Sequence, residues 1–408
     1  YKGKAPLTIS LIQPALPSLQ IETITKETPI PLPAPNPPSP SEVVVARLEV
    51  SDVRDNTMKF VSKRSKQKGS RDLTLTEKAL DLSGRHNECA FYLHYSSAFS
   101  HLSGEGVLVP RCWSIKAPSV VVRTAEEVGK MAANDLAKFT TFTLLLSDLK
   151  ATVQFMRVPG RYLDYYQTVS ALLYLAKFHS CHWESKDEGG TLWEFGGHGF
   201  DEAAARCRPS ESTSSFPALL GERLGGDLGK AVRDKVVRGI AGGRKWRTVV
   251  HGAVSMDNLL VVPYTDEQKE MAEFFPDLAI VGFKASGRGY GVLDVAGLLC
   301  RCVEPALLTH EQREEEFLGI YFEQLGKSLR EARKPPLPPG YKWEDCAKGY
   351  DLAVLDLCAD IHAREGAEGG SEYAVWKCGA VVDALERKVG GSTEPTLGQW
   401  KSIIDRDL

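Results

Sequence analysis

The chain has 408 residues, 43% apolar and 25% charged, which suits a globular protein with a sizeable core. Its net charge of -3 gives no basis for binding nucleic acid or an anionic membrane, and no apolar run reaches the ~18 residues of a membrane span. The nine cysteines are odd in number and scattered, with Cys300 and Cys302 the tightest pair and no CxxC, which argues against a disulfide framework or a zinc site.

Those cysteines are expected to be reduced, mostly buried thiols in a reducing intracellular compartment. A chain opening on Tyr1 reads as a processed or trimmed product, compatible with loss of an organellar targeting peptide. Residues 1–41 hold ten of the 23 prolines. Proline fixes φ and removes a backbone donor, so this stretch is expected to be an extended arm, unable to form a helix or a central strand. It reads either as a linker or, given Leu7, Ile9, Leu11 and Ile21, as an arm held against its own domain or a neighbouring subunit.

Strand-like sequence begins at Glu42–Val50 and resumes at Met58–Lys63, two β-branched runs around a polar loop that predict a hairpin. Leu73–Ser96 reads as mainly helical, Val107–Val122 as strand and loop, and Thr140–Leu149 as an apolar strand. The period then changes. Tyr166, Val169, Leu172, Leu173 and Ala176 mark one face of a helix within Leu163–Trp183. Glu184–Gly229 reads as a long polar loop, Thr248–Val262 and Leu278–Phe283 as short strands, and the chain beyond Asp294 as mostly helical. The expected fold class is α+β, with a strand-rich lobe over 42–150 and a helical lobe over 151–408.

Several motifs recur in a recognisable order. His251, Gly252 and Asn258 stand at the spacing of His-Gly-Asp, four residues, Asn. An apolar strand, Leu278–Val281, runs into Gly282 and Phe283, and Asp294–Ala296 follows about a dozen residues later. Upstream lie Leu175, Ala176 and His179 with Trp183, a hinge-like Leu144–Leu149 with Ser147 and Asp148, and a Lys63 and Glu88 pair. Together these resemble the aminoglycoside phosphotransferase and choline kinase family, including its ecdysteroid kinase-like branch. The resemblance covers about residues 42–300 and implies a bilobal protein kinase-like fold, with an N-lobe, a hinge and a helical C-lobe.

The resemblance also marks departures. The family's general base falls on Ala253, which cannot accept a proton, and its magnesium-binding Asp falls on Gly282, which offers no side-chain oxygen. No glycine lies between Lys4 and Gly69, where the family's phosphate loop would be. These departures imply a pseudokinase: no catalytic residues, no metal and no cofactor, with His251, Asn258 and Asp294 retained as motif residues. Lys63 and Glu88 would then be a structural ion pair or the remnant of a nucleotide pocket. The expected function is a catalytically inactive scaffold or interaction protein, a structural or regulatory subunit meeting other protein subunits through the 1–41 arm. The alternative is an ATP- and Mg-dependent small-molecule hydroxyl kinase with relocated carboxylates, for which Asp257 and Asp277 are candidates. A second alternative is a metal-independent nucleotide or metabolite sensor. Gly287–Gly291 is expected to be a flexible turn, and His179, Cys181 and His182 to serve packing and hydrogen bonding.

Overall fold

The structure is a computed structural model that describes residues 21–30, 41–52, 57–67, 75–99, 107–118, 121, 125–130, 141–185, 192–197, 223–224, 226–241, 245–271, 274–310, 312–331, 341–364, 372–389 and 396–408. The chain divides into two units, one drawn from residues 1–100 and 109–155, the other from 101–108 and 156–408.

The first unit is built on an antiparallel sheet of five strands: β1 (Ile21–Ile30), β2 (Ser41–Asp52), β3 (Thr57–Gln67), β4 (Cys112–Lys116) and β5 (Thr141–Ser147). Their order across the sheet is β1-β2-β3-β5-β4. Along β2, Ala46, Leu48 and Val50 are buried while Arg47 and Glu49 face the other way, the two-residue alternation of a strand with one covered face. Leu48, Val50, Phe60 and Leu145 form the centre of that face, with Ile24, Met58 and Trp113 packed around them. Trp113 meets Phe60 edge-on, with ring centroids 5.9 Å apart. Helix α1 (Leu75–Ala90) follows β3 and is buried along most of its second half.

β1 lies inside the segment expected to be an extended arm, and it is an edge strand of the sheet, paired antiparallel to β2 with Pro29 opposite Ala46. Proline is tolerated at an edge because its missing N–H faces away from the ladder. The remainder of the expected arm, residues 1–20 and 31–40, lies outside the described residues.

In the second unit, helix α2 (Tyr165–Cys181) starts at a capping box in which Asp164 and Gln167 satisfy each other's backbone N–H groups. Helix α3 (Asp227–Ala241) precedes β7 (Arg247–Val250), and the three-residue strand β8 (Leu259–Val261) pairs with β9 (Leu278–Ile280) on one side and with β6 (Met156–Arg157) on the other. β10 (Gly287–Tyr290) pairs with β7 and runs directly into α4 (Gly291–Cys302). The glycine-rich stretch expected to be a flexible turn is therefore a strand leading into a helix. Gly287 is required there because a Cβ would stand 2.5 Å from the Trp193 carbonyl oxygen and 2.8 Å from Gly196 Cα. Four longer helices follow among the described residues: α5 (Arg313–Glu331), α6 (Trp343–Arg364), α7 (Glu372–Val389) and α8 (Leu397–Asp407). Sheet in the N-terminal part and helix in the C-terminal part give the α+β division read from the sequence. Among the described residues no helix is long and apolar enough to cross a membrane.

Candidate active site

Three short connections in the second unit bring the motif residues together. β7 ends on Val250, so His251 starts the loop that closes with one 3₁₀ turn at Met256–Asn258 and enters β8. β9 ends on Ile280, and Val281 donates its N–H to the Asn258 carbonyl at 2.9 Å, which fixes Gly282 beside that turn. Beyond the 3₁₀ turn Phe283–Ala285 and β10, α4 carries Asp294 in its first turn.

Asp294 organises this loop from beneath. The residue is 2% exposed, and its carboxylate accepts the N–H of His251 at 2.6 Å, the N–H of Gly252 at 2.8 Å and a contact from His179 Nε2 at 3.0 Å. Burial alone would raise this carboxyl; the hydrogen bond and charge of His179, with His251, outweigh it and hold Asp294 below the ordinary carboxylate range. The other ring nitrogen of His179 meets the Tyr321 hydroxyl at 2.9 Å. Desolvation raises the Tyr321 phenol well above its ordinary range, so it stays protonated beside that ring. Thr248 adds a bond from its hydroxyl to the His179 carbonyl at 2.6 Å. His251 is held on both sides of its ring: Nε2 donates to the Val281 carbonyl at 3.1 Å, and Nδ1 accepts from Ala253 N–H at 3.3 Å. Gly252 has φ +75°, and a Cβ there would sit 2.2 Å from the Ala285 carbonyl oxygen. Only glycine fits that crossing.

Asn258 bridges the two positions where the resemblance expects carboxylates. Its Nδ2 donates to the Ala253 carbonyl at 2.9 Å and to Ser255 Oγ at 3.4 Å. Its Oδ1 lies against Gly282, 2.6 Å from where a Cβ on that residue would be. Gly282 itself has φ +85°.

In the first unit, Lys63 on β3 sits opposite Val45 on one side and Leu144 on the other. Its ammonium reaches both carboxylate oxygens of Glu88 at 2.7 Å. The Glu88 side chain is 5% exposed and that of Lys63 24%, so the pair is only partly sheltered from water. Of the hinge-like residues, Ser147 closes β5 and accepts Arg111 N–H on its hydroxyl at 2.9 Å. Asp148 caps the next helical turn through Lys150 N–H and pairs with Arg47 at 2.9 Å.

The structure thus unites His251, Ala253, Asn258, Gly282 and Asp294 in one locale of the second unit, and Lys63 with Glu88 in the first. The two candidate replacement carboxylates differ. Asp277 precedes β9, roughly 15 Å of extended chain from Gly282, and is remote from the loop. Asp257 is exposed and belongs to the same 3₁₀ turn as Asn258. Asp257 therefore belongs to the Asn258 end of the loop, whereas Asp294 is bonded at its His251 end. Among the described residues no three His, Cys, Asp or Glu side chains come together as a metal site. The donor set fits a divalent cation only as part of an incoming nucleotide, since such an ion commonly uses one or two protein oxygens and takes the rest from phosphate and water. Sequence reasoning missed Tyr321 and Thr248 as partners of His179; the spacing of an amphipathic helix marks Tyr321 only as core.

Over most of its length the chain is similar to several solved structures. These include a microcompartment-associated aminopropanol kinase, at 13% identity and TM-score 0.41 over 98% of this chain and 97% of that one. An amicoumacin kinase matches at 12% identity and TM-score 0.39 over 96% and 97%. The ethanolamine kinase of Plasmodium vivax matches at 8% identity and TM-score 0.37 over 86% and 84%. No family model and no curated protein matches the chain. All three structures are named as kinases and none as a scaffold, and on that finding the expectation of a catalytically inactive, non-enzymatic scaffold is corrected. At such identities and TM-scores the likeness assigns no residue a role, and the chemistry rests on the geometry of the site itself.

Proposed function

We propose that this chain is a phosphotransferase that moves the γ-phosphoryl group of a magnesium–nucleotide substrate onto a hydroxyl of a small molecule. The observation that carries this reading is the Asp294 carboxylate, buried, ionised and bonded to two successive N–H groups at the start of the 251–258 loop. Taking a carboxylate out of water costs several kcal/mol unless its partners are well placed, and here they fix one short loop in one conformation. Phosphoryl transfer asks for positioning and electrostatics more than for covalent chemistry. A rigid loop that presents Asn258 is suited to that task.

In this proposal Asn258 Oδ1 faces the cation that the nucleotide phosphates bring. Asp257, one residue earlier in the turn, supplies the nearby negative charge. The acceptor oxygen forms a bond to the γ-phosphorus, the bond to the leaving diphosphate breaks, and the hydroxyl proton passes to water. With alanine at position 253 there is no side-chain base at that point, so turnover should be about 10²–10⁴ slower than with one.

The test is acceptor-dependent ADP release with magnesium and ATP over a panel of amino alcohols, sugars and aminoglycosides, with phosphorus NMR identifying the product. We expect slow turnover that Asn258→Ala abolishes. No release with any acceptor, together with no shift in melting temperature on adding magnesium–ATP, would overturn the proposal.

A further inference from the structure

The pairing of Asn258 with Gly282 has a steric logic of its own. A Cβ on Gly282 would meet Asn258 Oδ1 at 2.6 Å, closer than side-chain carbons come, and Cγ at 3.2 Å, a tight contact. The amide could move aside only by giving up its bonds to the Ala253 carbonyl at 2.9 Å and Ser255 Oγ at 3.4 Å. Those bonds close the loop from within, since they tie Asn258 at its end back to Ala253 and Ser255. The backbone bond from Val281 to the Asn258 carbonyl keeps the two strands in register, so position 282 cannot retreat.

We infer that Gly282 is a positioning residue whose missing side chain makes room for the Asn258 amide, so that Asn258 supplies the oxygen that a side chain at 282 would otherwise present. As Asn258 is placed here, a side chain at 282 does not fit beside it. This deepens the proposed phosphotransferase reading and rests on it for the oxygen's task, while the steric statement stands independently.

The experiment is a double-mutant cycle in the full chain between Gly282→Ala and Asn258→Ala, read as melting temperature with and without magnesium–ATP. The left-handed backbone at 282 penalises alanine equally in both backgrounds and cancels in the cycle. The expected result is that Gly282→Ala lowers the melting temperature by about 2–4 °C more when Asn258 is present than when it is alanine. Equal shifts in the two backgrounds would overturn the inference. Should Gly282→Ala alone fail to fold, recovery of folded protein on adding Asn258→Ala is the same result, and no recovery refutes it. The nucleotide arm separates the two ideas. Coupling in stability without any nucleotide-induced shift leaves the steric pair standing and removes the phosphotransferase reading. A nucleotide shift with additive stabilities does the reverse.

Discussion

Two carboxylates hold motif residues in this molecule, and they do so under different conditions. Glu88 in the first unit answers one cation, Lys63, whose side chain remains 24% exposed on the sheet. Asp294 in the second unit answers two backbone N–H groups and a histidine with a side chain only 1% exposed. Coulomb attraction between partly wet charges is screened by water and salt. Hydrogen bonds to a dry carboxylate are not, and if one partner is lost the others stay buried. One pair orients a single side chain, whereas the other fixes the path of a loop.

Asp294→Asn breaks the comparison at its stronger end. The amide presents an N–H₂ to a site built of donors, and the loss should be about 3–5 kcal/mol, read from denaturant unfolding. The pH dependence follows from the direction of the shift. A carboxyl held below its ordinary value stabilises the fold above about pH 4, and that contribution fades as pH falls through the folded value. The variant should therefore show a shallower loss of stability in acid than the parent. An unchanged acid limb would mean that Asp294 is not the group responsible.

Lys63→Met tests the weaker end. Glu88 would remain nearly buried without its cation, at a cost of about 2 kcal/mol in unfolding free energy, between the values for exposed and fully buried pairs. Adding Glu88→Gln should recover part of that loss, because the stranded charge is gone. Recovery of nothing would show that the two do not interact as drawn. The smallest effect belongs to Glu126 and Lys130, a surface pair with side chains 77% and 73% exposed, where Glu126→Ala should change stability by less than about 0.5 kcal/mol.

Much of this frame was legible in the sequence, for reasons that differ by element. The apolar stripe of Leu163–Trp183 marked α2 within two residues, because a helix face repeats over five turns. The spacing of His251, Asn258 and Asp294 gave the order of loop, strands and helix. It did not give the rotamer of Asn258, which depends on a neighbour across β8 and β9. Tyr321 was beyond reach: its bond to His179 joins residues 142 positions apart, and nothing local separates that tyrosine from any other core residue. β1 was hidden by its surroundings. Prolines on either side of Ile21–Ile30 argue against regular structure, yet a strand with one unpaired side can carry them.

That outermost strand has a bearing on how the protein behaves in company. An open rim of a sheet invites a second molecule to add its own backbone, the first step toward ordered aggregates. Among the described residues the rim shows Lys26 and Pro29 to solvent, a charge and a residue with no hydrogen to offer, while Glu27 pairs with Arg64 of β3. A visiting strand would find its ladder interrupted at Pro29 and a charge in its way, which leaves this rim poorly suited to templating.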